Sequence, residues 1–178
     1  MINIAALVQL KAFARQDGVF LALWWTASFL MTLLVPTSSI GGLLAMTSPF
    51  FVGWLLIRFR NYALDGVISF RRGFVFSCYT FFYASLIFAV VQYVYFQYFD
   101  HGAMMTLLLQ AMKMLEQTYQ NNKDMLEPLR QTEELMGQMT PIEISFIFMM
   151  QNLLWGFIFS LPIAFFGRVV GSGQSIIK

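Results

Sequence analysis

Charge is what this sequence has least of. Only 11% of its residues are Asp, Glu, Lys or Arg, whereas about a quarter of the residues of ordinary soluble domains are charged. Residues 18–57 contain no charged side chain, and neither do residues 73–99. Uncharged runs of this length do not fit a soluble domain, which needs a largely polar surface. Together with a mean hydropathy of +0.67, they indicate an integral membrane protein.

Residue types that build disulfides, metal centres and catalytic sites are nearly missing. Cys78 is the single cysteine, so the chain cannot form an intrachain disulfide. His101 is the single histidine and follows Asp100, with no further His or Cys nearby to complete a metal site, so we interpret it as a helix end. The predicted spans hold no paired carboxylates, which argues against a proton-coupled transporter of the usual kind. We therefore expect no cofactor, no metal and no enzymatic activity.

The cations are few and unevenly spread. The net charge is +2, but the cations stand beside apolar runs, a distribution typical of membrane topology signals rather than of a nucleic-acid interface. No nucleic-acid partner is therefore expected. The largest cluster is the basic segment, residues 58–72, which is the one charged segment between Asp17 and Asp100.

The first uncharged run is too long for one membrane span. As a single helix, residues 18–57 would extend about 60 Å, twice the hydrocarbon thickness of about 30 Å. We therefore predict two spans, 18–35 and 41–59, separated by the sequence Pro-Thr-Ser-Ser-Ile-Gly-Gly. Before them, residues 1–16 are expected to form either a short helix in the headgroup region or a frayed terminus.

Local signals refine the second and third spans. Pro49 lies inside the second span and predicts a kink, in which the hydroxyl groups of Thr47 and Ser48 can adjust to the freed backbone groups. Ser69 is placed to cap a third helix over residues 70–99. That helix ends among tyrosines, as expected for rings at a membrane interface.

A polar insertion, residues 100–140, precedes the last span. Asn121 and Asn122 are predicted to end its first helix, and a second short helix is predicted to begin near Glu127 with Pro128 in its first turn. The sequence Thr-Pro-Ile-Glu at 140–143 predicts a capping box that starts a fourth span, 141–167. The first helix carries an apolar stripe at helical spacing: Met105, Leu108, Met112, Leu115 and Tyr119.

These elements predict an all-α fold with one membrane domain over residues 1–178. We expect a four-transmembrane-helix bundle, with an amphipathic helical hairpin outside the bilayer between spans 3 and 4. Four spans bring both termini to the side of the basic segment. The cations of that side are Lys11, Arg15, Arg58, Arg60, Arg71, Arg72, Arg168 and Lys178, and those of the other side are Lys113, Lys123 and Arg130. The positive-inside rule therefore places both termini in the cytoplasm.

The basic segment is the first candidate site. Arg71 and Arg72 fall in the first turn of the third helix, where the helix dipole disfavours cations. Fixing the topology is one explanation for their position. The other is that Arg58, Arg60, Arg71 and Arg72, together with amide groups at the helix start, hold a phosphate group of an anionic lipid, an undecaprenyl-phosphate carrier or an acidic partner loop.

Small residues predict a close contact between helices. On the fourth span they recur every four residues, which lets another backbone approach one face and an Asn amide bond across the contact. The second span offers a matching surface, and the contact is expected either within the monomer or with an oligomer or partner. The residues are Asn152, Gly156, Ser160 and Ala164 on the fourth span, with Gly41 and Ala45 on the second. The apolar stripe of residues 105–119 is predicted to form an outer interaction face, because methionine adapts to varied surfaces.

The sequence also resembles a known family. The residues that carry the resemblance are Phe59-Arg60-Asn61-Tyr62, Leu64-Asp65-Gly66-Val67-Ile68-Ser69-Phe70, Gly73-Phe74, Tyr95-Phe96, Phe99-Asp100 and Thr140-Pro141. They are similar to the DUF4199 family of small inner-membrane proteins of Bacteroidota, which has no assigned activity. The resemblance implies the bacterial inner (cytoplasmic) membrane and implies no catalytic residue. In that membrane the positive-inside rule makes residues 100–140 periplasmic. Family members are often encoded near a polyprenyl-phosphate type glycosyltransferase, which implies such an enzyme as a partner.

Two hypotheses for the function remain open. The first is a non-enzymatic membrane accessory or interaction protein, which binds anionic lipid or a protein partner through the basic segment and the outer helices. The alternative is a small oligomeric transporter or lipid-carrier translocator. A polar cavity lined by Gln151, Asn152 or Ser160 would favour the transporter, and a dry, close-packed core the accessory protein. The expected partners are the lipid bilayer, a second copy in a homo-oligomer, or a membrane protein such as a glycosyltransferase.

Overall fold

The computed structural model describes residues 4–35, 38–120 and 123–169, and over these residues the chain forms seven α-helices. Their bounds are α1 Ile4–Leu34, α2 Ile40–Met46, α3 Ser48–Ala63, α4 Phe70–Tyr98, α5 Ala103–Thr118, α6 Lys123–Gly137 and α7 Pro141–Gly167. The predicted all-α fold is confirmed. The predictions that concern Pro36, Thr37, Asn121, Asn122 and Lys178 lie outside the described residues.

Three helices of the described chain are long and apolar enough to cross a membrane: α1, α4 and α7. The pair α2 and α3, which is bent by 41°, makes a fourth if it counts as one span. Helix α1 is continuous from Ile4, so residues 4–16 do not form the separate short helix expected for this region. Gly18 lies within α1 and packs closely against α4, where an added Cβ atom would lie 2.7 Å from the Tyr83 Cβ.

Residues 41–59 do not form the single kinked helix predicted at Pro49, because α2 ends at Met46 and α3 begins at Ser48. Two hydroxyl groups stabilise the bend between these helices. Pro49 stands in the first turn of α3 and cannot donate a backbone hydrogen bond to the Ala45 carbonyl. The Ser48 Oγ donates to that carbonyl at 2.5 Å, and the Thr47 Oγ1 donates to the Leu44 carbonyl at 2.6 Å. The Ser48 hydroxyl thus bonds to the carbonyl that Pro49 frees, as predicted from its position, and the Thr47 hydroxyl bonds to the Leu44 carbonyl, which also accepts the Thr47 backbone amide.

Both predicted helix starts are formed by the expected side chains. The Arg72 backbone amide donates to the Ser69 Oγ at 3.4 Å, so Ser69 caps α4. At the start of α7, the Thr140 backbone amide and hydroxyl both donate to the Glu143 Oε2 at 2.7 Å. Glu143 therefore satisfies the amide of the capping residue, which is one half of the predicted capping box, and the Thr140 hydroxyl donates to the carboxylate instead of accepting from an amide of the first turn.

The predicted start of α6 near Glu127 is wrong. The helix begins at Lys123, and Pro128 lies inside it rather than in the first turn. Asp124, in the first turn, complements the positive end of the helix dipole. Pro128 is exposed, so water can satisfy the carbonyl group that proline leaves without a backbone donor. The exposed position makes an interior proline tolerable here.

Residue contacts divide the chain into two compact units. The first unit comprises Met1–Phe88 and Met149–Lys178, and the second comprises Ala89–Phe148. In the second unit, α5 packs against α6, and the Arg130 Nε lies 3.7 Å from the Glu116 Oε1. The half-buried side chains of α6 recur at helical spacing, which indicates the face toward α5: Leu126, Leu129, Glu133 and Met136.

Contacts within the first unit fix the directions of its helices. Helix α1 runs antiparallel to α2 and α3, because residues near its C-terminal end meet α2 and residues near its middle meet the end of α3. It runs parallel to α4, since Lys11 lies over the Tyr79 ring and Trp25 contacts the Phe88 ring. Helix α7 is antiparallel to α4, with Gly156 near Phe81 and Ala164 near Gly73.

Candidate functional site

A buried ion pair joins α1 to α3 at the start of the basic segment. Asp17 is fully buried, and its Oδ1 accepts a hydrogen bond from the Arg58 guanidinium. The other oxygen, Oδ2, is buried without a hydrogen-bond partner among the described residues. The Arg58 guanidinium also lies 5.6 Å from the Phe20 ring centroid and 5.5 Å from that of Trp54. Burial strengthens the attraction between the two charges and makes either one costly to leave alone.

Sequence reasoning missed this pair. The sequence predicts a phosphate ligand at Arg58 and no partner for Asp17, and 41 positions separate the two residues. A signal was nonetheless present, because Asp17 directly precedes and Arg58 directly follows the uncharged residues 18–57. Folding that run into two antiparallel helices, with the reversal near its middle, brings its two ends together. An acid and a base at the ends of such a run therefore predict an ion pair.

The rest of the basic segment is held against the C-terminal end of α7. The Arg60 Nη1 donates to the Gly167 carbonyl at 3.1 Å, which places a cation at the negative end of the helix dipole. Ile68 and Val169 exchange two backbone hydrogen bonds of 3.0 and 3.1 Å in an antiparallel bridge. The Ile68 side chain is buried. The basic segment is therefore an integral part of the first unit.

The four arginines of the predicted phosphate site have different surroundings. Arg58 and Arg60 bond to groups inside the chain, whereas Arg71 is exposed and Arg72 is half-buried beside a shallow depression of about 640 Å³. The depression is lined by Ala6, Gln9, Ala63, Leu64, Asp65, Val67 and Arg72. Binding of a phosphate group by the four arginines stays a prediction.

The small residues of α7 lie against α4. At Gly156, an added Cβ atom would stand 2.6 Å from the Phe81 Cβ. Ser160 is fully buried and donates to the Gly156 carbonyl at 2.7 Å. Ala164 is buried near Gly73, and Asn152 is half-buried. Around Gly156 this face is in contact with another helix of the same chain.

Gly41 lies against α1 rather than α7. An added Cβ atom would stand 2.8 Å from both the Ser28 carbonyl oxygen and the Thr32 backbone nitrogen. The Ser28 Oγ donates to the Gly41 carbonyl at 2.7 Å. Ala45 is exposed. Gly41 therefore allows the close contact between α1 and α2. The predicted contact of Gly41 with the small residues of α7 is not formed.

Two tryptophans of α1 secure the bend between α2 and α3. The Trp24 indole donates to the Leu44 carbonyl at 3.1 Å and to the Thr47 Oγ1 at 3.2 Å. The Trp25 indole donates to the Ser48 Oγ at 2.8 Å. The hydroxyl groups of Thr47 and Ser48, which donate to carbonyl groups at the bend, thus also accept hydrogen bonds from the tryptophans of α1. Sequence reasoning did not find these bonds, because neither tryptophan has a local pattern that points to its partner.

The predicted outer interaction face on α5 is partly used within the second unit. Its first three residues, Met105, Leu108 and Met112, are half-buried, whereas Leu115 and Tyr119 are exposed. Because α5 packs against α6, part of the stripe serves that contact. Binding of a further partner by this face stays a prediction.

Asp100 and His101 form a helix end, as interpreted from the sequence. The Met104 backbone amide donates to the Asp100 carboxylate at 3.0 and 3.1 Å, and the His101 Nδ1 lies 2.9 Å from the Phe99 carbonyl. Asp100 thus accepts a hydrogen bond from the first turn of α5, whose N-cap residue is Gly102. Among the described residues, no group of three or more His, Cys, Asp or Glu could hold a metal ion.

The chain was compared with protein families, curated proteins and solved structures. The model of a family described as a protein of unknown function (DUF4199) matches residues 16–168. No curated protein and no solved structure matches. The matched range includes the ion pair of Asp17 with Arg58 and the whole basic segment, and it ends at Arg168, one residue before the bridge partner Val169. Since the match covers most of the chain, this protein belongs to the DUF4199 family.

Proposed function

We propose that this chain is a non-enzymatic accessory protein of the bacterial inner membrane, which binds a phosphate-bearing lipid at its basic end and assists a membrane protein partner. The proposal takes α2 and α3 together as one bent span, so that four spans cross the bilayer. In hydrocarbon every backbone polar group needs a partner inside the protein. The bonds from Ser48, Thr47 and Trp24 to the bend supply such partners and support this arrangement.

The orientation follows from the helix directions and the charges. The antiparallel and parallel contacts of the first unit put the start of α1, the end of α3, the start of α4 and the end of α7 at one end of that unit. Lys11, the basic segment and Arg168 therefore share one end. The positive-inside rule assigns that end to the cytoplasm and residues 100–140 to the periplasm.

The lipid-binding proposal rests on a difference between the four arginines of the basic segment: two have partners within the chain and two lie at the start of α4. Arg58 and Arg60 have partners within the chain, so their positions are explained by packing. Arg71 and Arg72 lie in the first turn of α4, against the helix dipole. A phosphate group would relieve that repulsion and accept charge-assisted hydrogen bonds from both guanidinium groups. Arg72 lines a depression that can admit a headgroup.

The packing of α7 favours the accessory protein over a transporter. The transporter hypothesis requires a polar cavity beside Asn152 or Ser160. Instead, the Phe81 side chain fills the space in front of Gly156, and the Ser160 hydroxyl bonds to its own helix. A partner on the membrane side remains part of the proposal, either a second copy or a glycosyltransferase that uses a polyprenyl-phosphate substrate, as the family resemblance implies.

The test is purification from native membranes with mass spectrometry of bound lipids and proteins. We expect the wild-type chain to retain anionic phospholipid or polyprenyl phosphate, and the double variant Arg71→Gln/Arg72→Gln to lose most of it. The double variant Lys113→Gln/Arg130→Gln removes the same charge from the second unit and serves as the control. Equal retention of anionic lipid by wild type and Arg71→Gln/Arg72→Gln would overturn the lipid proposal. The identity of the retained lipid distinguishes an ordinary phospholipid from a polyprenyl carrier.

A further inference from the structure

An open apolar depression lies in the second unit, where the end of α6 meets the start of α7. Its volume is about 660 Å³. Three of the apolar side chains at its edge are strongly exposed, Leu135 at 64%, Ile142 at 63% and Phe146 at 57%. Clustered apolar side chains of this size are costly in contact with water. The depression is lined by Leu135, Gln138, Met139, Ile142, Glu143, Phe146 and Ile147.

The length of α7 indicates the level of this depression in the bilayer. The helix has 27 residues and extends about 40 Å, which exceeds a hydrocarbon thickness of about 30 Å. Arg168 follows its C-terminal end and marks one interface. The first turns of α7, with Ile142 and Phe146, therefore reach the opposite interface, where acyl chains give way to headgroups.

The polarity of the lining suits that level. Gln138 and Glu143 are the polar members, and the other residues of the lining are apolar. The Glu143 carboxylate already accepts two hydrogen bonds from Thr140, so an occupant need not supply a cation to it. An apolar occupant beside a polar rim is what a lipid offers at the border between its acyl chains and its headgroup.

The apolar edge of α6 is separate from the face that packs on α5. The half-buried residues of α6, such as Leu129 and Met136, mark the face toward α5. Leu135 is exposed on α6 and lines the depression together with Met139, which lies two residues beyond the end of that helix. Next to them, the exposed apolar side chains of α7 continue at helical spacing through Met150 and Leu154. In a membrane span such a face contacts lipid.

We infer that acyl chains of phospholipids in the periplasmic leaflet fill this depression, so that the C-terminal end of α6 is seated in the membrane interface. The inference rests on the proposed membrane arrangement, because it takes α7 as a span. Lipid is the occupant that the structure favours, since the depression is continuous along α7 with a surface that a bilayer would cover.

Nitroxide labelling of the full chain in phospholipid nanodiscs tests this inference. Single cysteines are introduced at Leu135, at the neighbouring exposed residue Glu134 as the matched control, and at Leu154 in the middle of α7, each in a Cys78→Ser background. Accessibility to oxygen, which concentrates in the bilayer, is compared with accessibility to a water-soluble nickel chelate. We expect the oxygen-to-nickel ratio at position 135 to exceed that at 134 several-fold and to approach that at 154.

The outcomes separate the possible occupants. Nickel accessibility at 135 equal to that at 134, with 154 in lipid, would overturn the inference while leaving the spanning arrangement intact. A label at 135 that neither reagent reaches would show that protein covers the depression, and would also overturn the inference. A water-accessible label at 154 would instead contradict the proposed arrangement of α7. Wild-type elution of each labelled variant in size-exclusion chromatography confirms that the chain is folded.

Discussion

The residue with the most demanding environment is Asp17. Its carboxylate is fully buried, with one oxygen bonded to Arg58 and the other without a partner among the described residues. An ion pair of this kind is a weak source of net stability, because desolvation offsets much of the attraction between the charges. The pair nevertheless favours one arrangement of α1 against α3, because any arrangement that leaves either charge unpaired is strongly unfavourable. The pair thus fixes which part of α3 faces the middle of α1.

Asp17→Asn is expected to destabilise the fold, because it leaves the Arg58 guanidinium without its carboxylate. Removing one partner of a buried pair costs about 3–5 kcal/mol, and the partial exposure of Arg58 favours the lower end. The measurement is the apparent thermal unfolding midpoint in detergent. Asp65→Asn is the control, because Asp65 is exposed and its positive φ of 51° is well tolerated by Asn.

A double variant separates charge pairing from packing at this site. Asp17→Leu combined with Arg58→Met replaces both charges with apolar groups, and it should recover much of the stability that Asp17→Asn loses. If the double variant is as unstable as Asp17→Asn, the loss comes from altered packing and the ion pair is not its cause.

Substitution of Gly156 is expected to destabilise the contact between α4 and α7. Even Gly156→Ala places a Cβ atom 2.6 Å from the Phe81 Cβ, so α4 and α7 must separate, at a cost of about 1–3 kcal/mol. Gly156→Leu should cost more. Gly53→Ala is the matched control, since nothing lies within 4 Å of an added Cβ atom there, and a helical alanine should stabilise by about 0.5–1 kcal/mol. Unchanged thermal stability and monodispersity of Gly156→Leu would refute the close contact.

At the scale of elements, the bend between α2 and α3 is the main departure from regular helix. The bend of 41° follows from Pro49, but its stability depends on bonds from outside the bend. Trp24 and Trp25 reach it from α1, and Thr47 and Ser48 bond to carbonyl groups near the end of α2. These bonds make α1, α2 and α3 one packed group and hold the two parts of the bent pair at a fixed angle.

Ser48→Ala is expected to destabilise this group of helices. The variant removes the acceptor of the Trp25 indole and the donor to the Ala45 carbonyl, and buried polar groups left without partners cost about 1–3 kcal/mol each. The unfolding midpoint and tryptophan emission in detergent measure the effect. Thr118→Ala, which removes an exposed hydroxyl bonded only to its own helix, should change the midpoint little. Equal midpoints for the two variants would contradict the role of Ser48.

At the scale of the whole molecule, the helix directions and the charges lead to one orientation. Within the first unit, the contacts of α1 with α3 and of α7 with the basic segment bring Lys11, Arg58, Arg60 and Arg168 to one end. Cationic ends of membrane bundles face the cytoplasm. Residues 100–140, which contain α5 and α6, belong to the periplasm in the proposed arrangement.

Topology reporters test this orientation. Green fluorescent protein fused after residue 178 should fluoresce, because it folds in the cytoplasm, whereas alkaline phosphatase fused after residue 120 should be active, because it folds in the periplasm. Exchanging the two reporters should abolish both signals. Active phosphatase at the C-terminus would contradict four spans with cytoplasmic termini.

Local chemistry let the sequence by itself determine the all-helical fold, the capping residues of α4 and α7, and a departure from regular helix at Pro49, although the predicted kink is a break between two helices. Ser69, Thr140, Glu143 and Ser48 act on backbone groups only a few residues away, so their spacing is sufficient evidence. The start of α6 could not be predicted in the same way. Pro128 is tolerated inside the helix because it is exposed to solvent, and the local sequence does not reveal that exposure.

Only the tertiary structure decided which groups the charged side chains and Gly41 contact. Asp17 meets Arg58 across 41 positions, Arg60 meets Gly167 across 107, and Gly41 faces α1 instead of α7. Each of these contacts depends on the angle and rotation at which helices pack, and many side chains set that geometry together. The same packing divided the four arginines of the basic segment, because it engaged two of them inside the fold and left Arg71 exposed and Arg72 beside the depression.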